Sequence, residues 1–351
     1  MMTTAAVGLA TPAHCSAVGG GKGSSSIGRR RYSLVALISI ALPSAALAID
    51  PLPEGNSGIA ARHPGDDGIA ADPDVIFFDD FEGYRTVGEL TTRWNEMFHA
   101  SNFRLATEAD NRFAGAKALE ISVPAGTAEV ANELRKTISP TQDTLFIRAY
   151  TMWHPDNSVV GSSHNGVHAS ANYCCAGVPA DGRNKFNVSA DVFRLDGSVP
   201  NPGQTTVYIY HPEQRSEWGD YWYPDGRIIP FDSIRGDFGP DFVQRPNFVP
   251  KLGRWYSWEM MVKANTPGQR DGRIAIWVDG ALVADWQNVR LRDVSTLKMN
   301  LVSIDMHANA QRSAPLRKYY DNVVVARSYI GPVAQQQQAV KPNPPTNLLA
   351  R

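Results

Sequence analysis

Three short stretches of this 351-residue chain carry side chains that can move protons or hold charged sugars. In TTVYIYHPEQ, residues 205–214, strand alternation sets Tyr208 and Tyr210 on one side, and His211 follows at once. A phenol pair is suited to proton transfer, to sugar contact through its amphipathic rings, or to plain sheet filling, since tyrosine is common in strands. In ANELRKT the same alternation puts Glu133 and Arg135 on one face and Leu134 on the other. Such a charged row either grips sugar hydroxyls and carboxylates, Arg by paired hydrogen bonds, or forms an exposed salt-bridged face. In NKFNVSADV, Phe186, Val188, Ala190 and Val192 face a core, while Lys185, Asn187, Ser189 and Asp191 make a second polar row for the same groove.

GSSHNGVHASANYCC holds His164 and His168, a spacing that on a helix would make a metal pair. The surrounding Gly, Ser and Asn argue for a loop, so His168 reads as a proton-handling or hydrogen-bonding residue, or as a surface histidine. Cys174 and Cys175 are adjacent and cannot staple distant segments; a strained vicinal disulfide or two thiols are the choices. SEWGDYWYPDG gathers Trp218, Tyr221, Trp222 and Tyr223 in a Gly/Asp/Pro-rich loop, where flat rings stack on sugars or anchor the loop. Trp218, Trp222 and His211 join Glu133, Lys185 and Asn187 as sugar-binding candidates. In FFDDFEGY and YYDNVVV, Asp79, Asp80, Glu82 and Asp321 could share a structural calcium ion, or could cap turns. No Gly-x-Ser-x-Gly elbow, phosphate loop or His-Glu-x-x-His motif occurs, nor a tight Glu-x-Asp-x-x-Glu strand that would pair carboxylates for hydrolysis.

The elements that must position these residues are strands. Short alternating runs recur between Gly, Pro, Asp and Asn clusters, the pattern of an all-β, two-sheet antiparallel jelly-roll sandwich. In IAIWVDGALVADW, Ile274, Ile276 and Val278 alternate with Ala275 and Trp277 before a tight Asp279-Gly280 turn. Only VGELTTRWNEMF has helical period. Arg29, Arg30 and Arg31 precede an apolar run ending at Ala46-Leu47-Ala48, so 1–48 reads as a leader with an export signal, and the mature protein as secreted or periplasmic, without stable membrane insertion. Residues 49–73 read as a flexible spacer, 74–332 as the folded domain able to stand alone, and 333–351 as a disordered tail. A formal net charge of -1 offers no global attraction to nucleic acid. The domain is expected to be a monomer.

WYSWEMMVKANTPGQRDGRIAIWVDG, LVSIDMHAN and YYDNVVVARSYIGP resemble the concanavalin A-like jelly rolls of the polysaccharide lyases, in particular family 14, with the glucuronan lyases of family 20 nearby. Family 14 carries a Tyr-x-Tyr pair on an inner strand, matched by Tyr208-Ile209-Tyr210; its Ser-x-Arg pair has no match, since two residues after Ser189 stands Asp191 in place of an arginine. Other jelly-roll lyases use an Arg/Glu strand, a histidine and a tyrosine, for which Glu133, Arg135, His168 and Tyr210 are the counterparts. The resemblance implies β-elimination on an acidic, uronate-containing polysaccharide with no cofactor required: Tyr210 carries protons, Tyr208 or His168 assists as base, and Arg135 steadies the carboxylate. A lectin-like binding protein and a glycoside hydrolase on the same fold are the alternatives.

Overall fold

The computed structural model describes residues 51–159, 164–229 and 244–334. The alternating runs become β1 (Val75–Asp79), β2 (Glu96–Phe98), β3 (Phe103–Ala106), β4 (Ala118–Val123), β5 (Val130–Gln142), β6 (Thr144–Trp153), β7 (Val167–Ala171) and β8 (Phe186–Phe193). They continue as β9 (Gln204–Tyr210), β10 (Asp220–Trp222), β11 (Ile228–Ile229), β12 (Tyr256–Lys263), β13 (Gly272–Val278), β14 (Ala281–Val289), β15 (Met299–Ala308) and β16 (Leu316–Ala326). The run VGELTTRWNEMF is a short 3-10 turn, Val87–Thr92, followed by β2, because the pairing of Glu96–Phe98 with β5 overrides its helical period. No helix among the described residues is long and apolar enough to cross a membrane.

The strands form two antiparallel sheets, a jelly-roll sandwich. One runs β14-β13-β12-β6-β16-β4-β3, with β1 also paired to β16; the other runs β11-β10-β9-β8-β7-β15-β5-β2. The core lies between them: Ile147, Met260, Ile274, Ile276 and Val325 from the first sheet meet Leu134, Val188, Val207, Ile209, Ile304 and Met306 from the second. Asp279 and Gly280 both have positive φ, 50° and 81°, as the tight hairpin predicted from sequence requires.

The first sheet's outer face is covered by the segment expected to be a spacer. Ile59, Ala60 and Ile69, on short 3-10 turns, pack with Phe146, Met261, Ala275, Trp277 and Val324 in a second apolar cluster. Asp66 receives both terminal nitrogens of Arg148, which is fully buried in β6, and Asn322 Nδ2. The spacer reading therefore holds for none of 51–73, because the outer sheet face is apolar and these residues bury it. The expected leader and export signal, Cys15 and the expected tail from 335 lie outside the described residues.

Candidate active site

Strand alternation gives each strand of the second sheet one apolar and one polar face, and the register lines the polar faces up. Glu96, Arg135, Ser303, His168, Ser189, Tyr208 and Tyr221 are successive cross-strand partners over β2, β5, β15, β7, β8, β9 and β10. A neighbouring row links Leu301, Ser170, Asn187 and Tyr210 over β15, β7, β8 and β9. On the other side of the first row, Asp305 pairs with Glu133. Of these, Arg135, Glu133, Asp305, His168, Asn187, Tyr208 and Tyr210 line a cavity of about 380 Å³ on the face turned away from the core, rimmed by Tyr173, Cys174 and Trp218.

The two phenols are the most constrained groups in it. The Tyr208 and Tyr210 hydroxyls lie 3.3 Å apart. Gly219 N–H donates to Tyr208 at 3.0 Å, and Gly177 N–H to Tyr210 at 3.3 Å. Both donors must be glycine. A Cβ on Gly219 would sit 2.7 Å from Ile209 O and 2.9 Å from Tyr208 Cζ, and Gly177 has φ +73° with Trp218 pressed against it. Burial, then Tyr210 and Tyr221, push the Tyr208 phenol well above its ordinary range, so it remains a proton donor.

His168 stands beside them. Its Nε2 is 3.0 Å from Asp305 Oδ2 and 3.0 Å from Ser189 Oγ, which in turn donates to Asp191 Oδ1 at 2.7 Å. Burial alone would lower this imidazole, but the Asp305 carboxylate overrides it and lifts His168 to about 9. Asp305 thus favours the charged form of His168 at neutral pH. The folded value lies above the ordinary ~6.5, so the pair's stabilisation is full below about pH 6.5 and is lost as pH rises through about 9. Asp305→Asn is expected to bring the His168 ring-proton titration, followed by NMR, down from there and to flatten the pH dependence of stability across that window. An unmoved titration would locate the cause elsewhere.

Arg135 is engaged by two carboxylates, Glu133 at 2.7 Å and Glu96 at 3.2 Å, and lies 4.6 Å over the Phe98 ring. Despite its burial, Glu133 is lowered by the Arg135 hydrogen bond. His164 Nδ1 faces Asp191 Oδ2 at 3.5 Å, and His307 Nε2 contacts Glu129 Oε1 at 2.9 Å. Burial and the neighbouring His164 push His307 down to about 4, so it is neutral.

Of the residues expected from sequence, Tyr208, Tyr210, His168, Arg135, Glu133, Asn187 and Trp218 share the cavity. Three others are corrected. His211 and Trp222 face the core: His211 Nε2 is 3.0 Å from Asp220 and packs edge-on to Trp222, which is fully buried. The parity that turns Tyr210 to the groove turns His211 away, and the loop expected around Trp222 is strand β10. Lys185 folds behind the phenols, donating to Cys175 O with its ammonium 4.8 Å from the Tyr210 ring centroid. The cysteines are exposed free thiols. Asp305, Ser303, His307 and Tyr173 join the site without having been singled out, although alternation in LVSIDMHAN already sets Ser303, Asp305 and His307 on one face.

The expected calcium ligands do not converge. Asp79 accepts Tyr84 and Trp94, Asp80 the Glu82 amide, Glu82 the amides of Ala116 and Lys117, and Asp321 those of Phe113 and Ala114, so they serve as turn and strand caps. Among the described residues, one His/Cys/Asp/Glu group has all its ligand atoms within 4.8 Å, namely His168, Asp191 and Asp305. Its charges are already matched. The buried Lys318 ammonium reaches from β16 to Asn165 O beneath the floor and, with His168, offsets the two aspartates. Burial lowers Lys318 to about 8 against the pull of those aspartates, which leaves it charged at neutral pH.

No protein-family model matches this chain, and no curated protein matches it in sequence. Among solved structures it is similar to a mutant of alginate lyase Aly36B in complex with alginate trisaccharide, at 16% identity and TM-score 0.54 over 73% of this chain and 99% of that one. It is also similar to alginate lyase vAL-1 from Chlorella virus, at 14% identity and TM-score 0.50 over 73% of this chain and 100% of that one. At these identities the likeness shows the fold, a jelly-roll sandwich.

Proposed function

We propose that the protein is an exported polysaccharide lyase that cleaves a uronate-containing polysaccharide by β-elimination. The observation that carries this reading is the hydroxyl pair of Tyr208 and Tyr210, 3.3 Å apart, beside a cationic His168 on the floor of an open cavity. In the reaction a base takes the proton from C5 of the uronate, the C–H electron pair becomes the C4–C5 double bond, the C4–O4 bond breaks, and O4 leaves with a proton. Tyr210 is the proton carrier. Reacting as the phenolate, its oxygen takes the C5 proton to become the phenol and then gives that proton to O4, which restores the phenolate, while Tyr208 and Gly177 N–H donate to it. His168 holds the substrate carboxylate and the negative charge that develops on it, and Arg135 orients it from the next strands. Lys185 sets a positive charge behind the Tyr210 ring.

Two features of the sequence and fold agree with this reading. An export signal ahead of Ala48 suits an enzyme that meets a polymer outside the cell. The solved structures of similar fold include lyases of alginate. Hydrolysis has weaker support, because Glu133 and Asp305 are each committed to a cation. The test is to incubate the full chain with uronate polymers and with a neutral glucan. Unsaturated ends, seen by ultraviolet absorbance, are expected on a uronate polymer. Reducing ends without unsaturation would make the protein a hydrolase, and retention without cleavage a binding protein.

A further inference from the structure

The cavity has cations, yet none in its described lining is free. Arg135 is held by Glu133 and Glu96, and His168 by Asp305; of the other two imidazoles, His307 is neutral beside Glu129 and His164 faces Asp191. Lys185 is turned behind the phenols to Cys175 O. Glu129, whose histidine partner is neutral, adds negative charge to the wall beside the central histidine. The remaining lining offers neutral hydrogen-bonding groups, such as Asn187 and Asn309, and the flat faces of Tyr173 and Trp218.

A homopolymer of uronates brings a carboxylate with every sugar. The one that reaches His168 and Arg135 finds their charged N–H donors, already shared with Asp305, Glu133 and Glu96; its neighbours meet amides, aromatic rings and the Glu129 carboxylate. Each would have to shed water without a counter-charge or stay hydrated outside the cavity. A neutral sugar in those positions has the opposite balance, since its apolar ring face stacks on an aromatic side chain and its hydroxyls bond to the amides.

From this pairing of charges we infer that the cavity accepts one carboxylate and not a run of them. Its substrate is a heteropolysaccharide in which single uronates are flanked by neutral sugars. The inference rests on the lyase reading above and adds to it the surroundings of the cleaved residue.

The experiment compares, with the full chain and at matched uronate concentration, a homopolyuronate such as alginate or glucuronan with a heteropolysaccharide whose glucuronates are each separated by neutral hexoses. Two readouts are taken: kcat/KM for unsaturated ends, and retention of the protein in gels containing each polymer, with and without added salt. The heteropolysaccharide is expected to be cleaved at least about tenfold more efficiently, roughly the effect of one unmatched charge, and its retention to change little with salt. Glu129→Lys, which adds a free cation at the wall, is expected to raise the homopolymer-to-heteropolymer ratio several-fold. Equal or preferred cleavage of the homopolyuronate would overturn the inference and leave the lyase reading intact. Preferential retention of the heteropolysaccharide without unsaturated ends on either polymer would uphold the inference and remove the lyase reading. Retention of the homopolymer alone, or of neither polymer, without cleavage would remove both.

Discussion

A chain shortened to begin at Asp74 is expected to lose its cooperative melting. Residues 51–73 carry Ile59, Ala60 and Ile69 onto the outer face of the first sheet, where they cover Phe146, Met261, Ala275 and Trp277. Trp277 Nε1 also donates to Pro53 O at 2.8 Å. Fully burying an isoleucine stabilises by about 1.5–3 kcal/mol. Arg148 carries the larger penalty. Its guanidinium is fully buried in the sheet, and Asp66 supplies its carboxylate partner. Removing one partner of a buried ion pair costs about 3–5 kcal/mol, against a total stability of about 5–15 kcal/mol for an ordinary domain. Asp66→Ala in the full chain isolates that part and is expected to lower the denaturation free energy by the same ~3–5 kcal/mol. If the shortened chain melted cooperatively at an unchanged temperature, the segment would be an ornament on the sandwich.

That segment also marks where the sequence misleads. Its Gly, Pro, Asp and Ala follow no period because it folds as brief 3-10 turns, which repeat too few times to leave a pattern. What ties it down is the apolar outer face of strands far along the chain. Even there a trace was present: Trp277 and Ala275 alternate with the core residues Ile274 and Ile276, so β13 is apolar on both faces and needs cover on both.

The site was legible strand by strand. Two-residue spacing put Glu133 with Arg135, Asn187 with Ser189, and Tyr208 with Tyr210 on common faces, and each pair does share a face. The same rule would have given Ser303, Asp305 and His307, and would have turned His211 away from the tyrosines. Register was not legible. Nothing local tells that Arg135, Ser303, His168, Ser189 and Tyr208 fall in one row, because β15 pairs with β5 and β7 from far along the chain and the consecutive strands β7, β8 and β9 are joined by long loops that leave register open. Electrostatic roles depend on that register. His168 is a cation because β15 carries Asp305 to within 3.0 Å of it, and Arg135 is shared because β2 brings Glu96. Lys185 has the parity of Asn187, but it sits just before β8 begins, where its long chain folds back to Cys175 O.

The largest effect on activity is expected from Tyr210→Phe. The substitution keeps the ring beside Lys185 and Tyr173 and removes only the hydroxyl that touches Tyr208 and receives Gly177 N–H. The fold should survive, at a cost of about 1 kcal/mol for the lost hydrogen bonding. Chemistry should not. A positioned proton carrier contributes about 10²–10⁴-fold to rate. Binding should change much less, because His168 and Arg135 still hold the carboxylate, so the loss is expected in kcat and not in KM. The measurement is the initial rate of unsaturated-end formation, by ultraviolet absorbance, for the wild type and Tyr210→Phe on whichever uronate polymer the wild type cleaves, with circular dichroism and melting checked on both. The account predicts a fall of at least about 10² in kcat with an unchanged fold; a well-folded Phe variant that forms unsaturated ends at the wild-type rate would contradict it and return Tyr210 to sugar stacking or sheet packing.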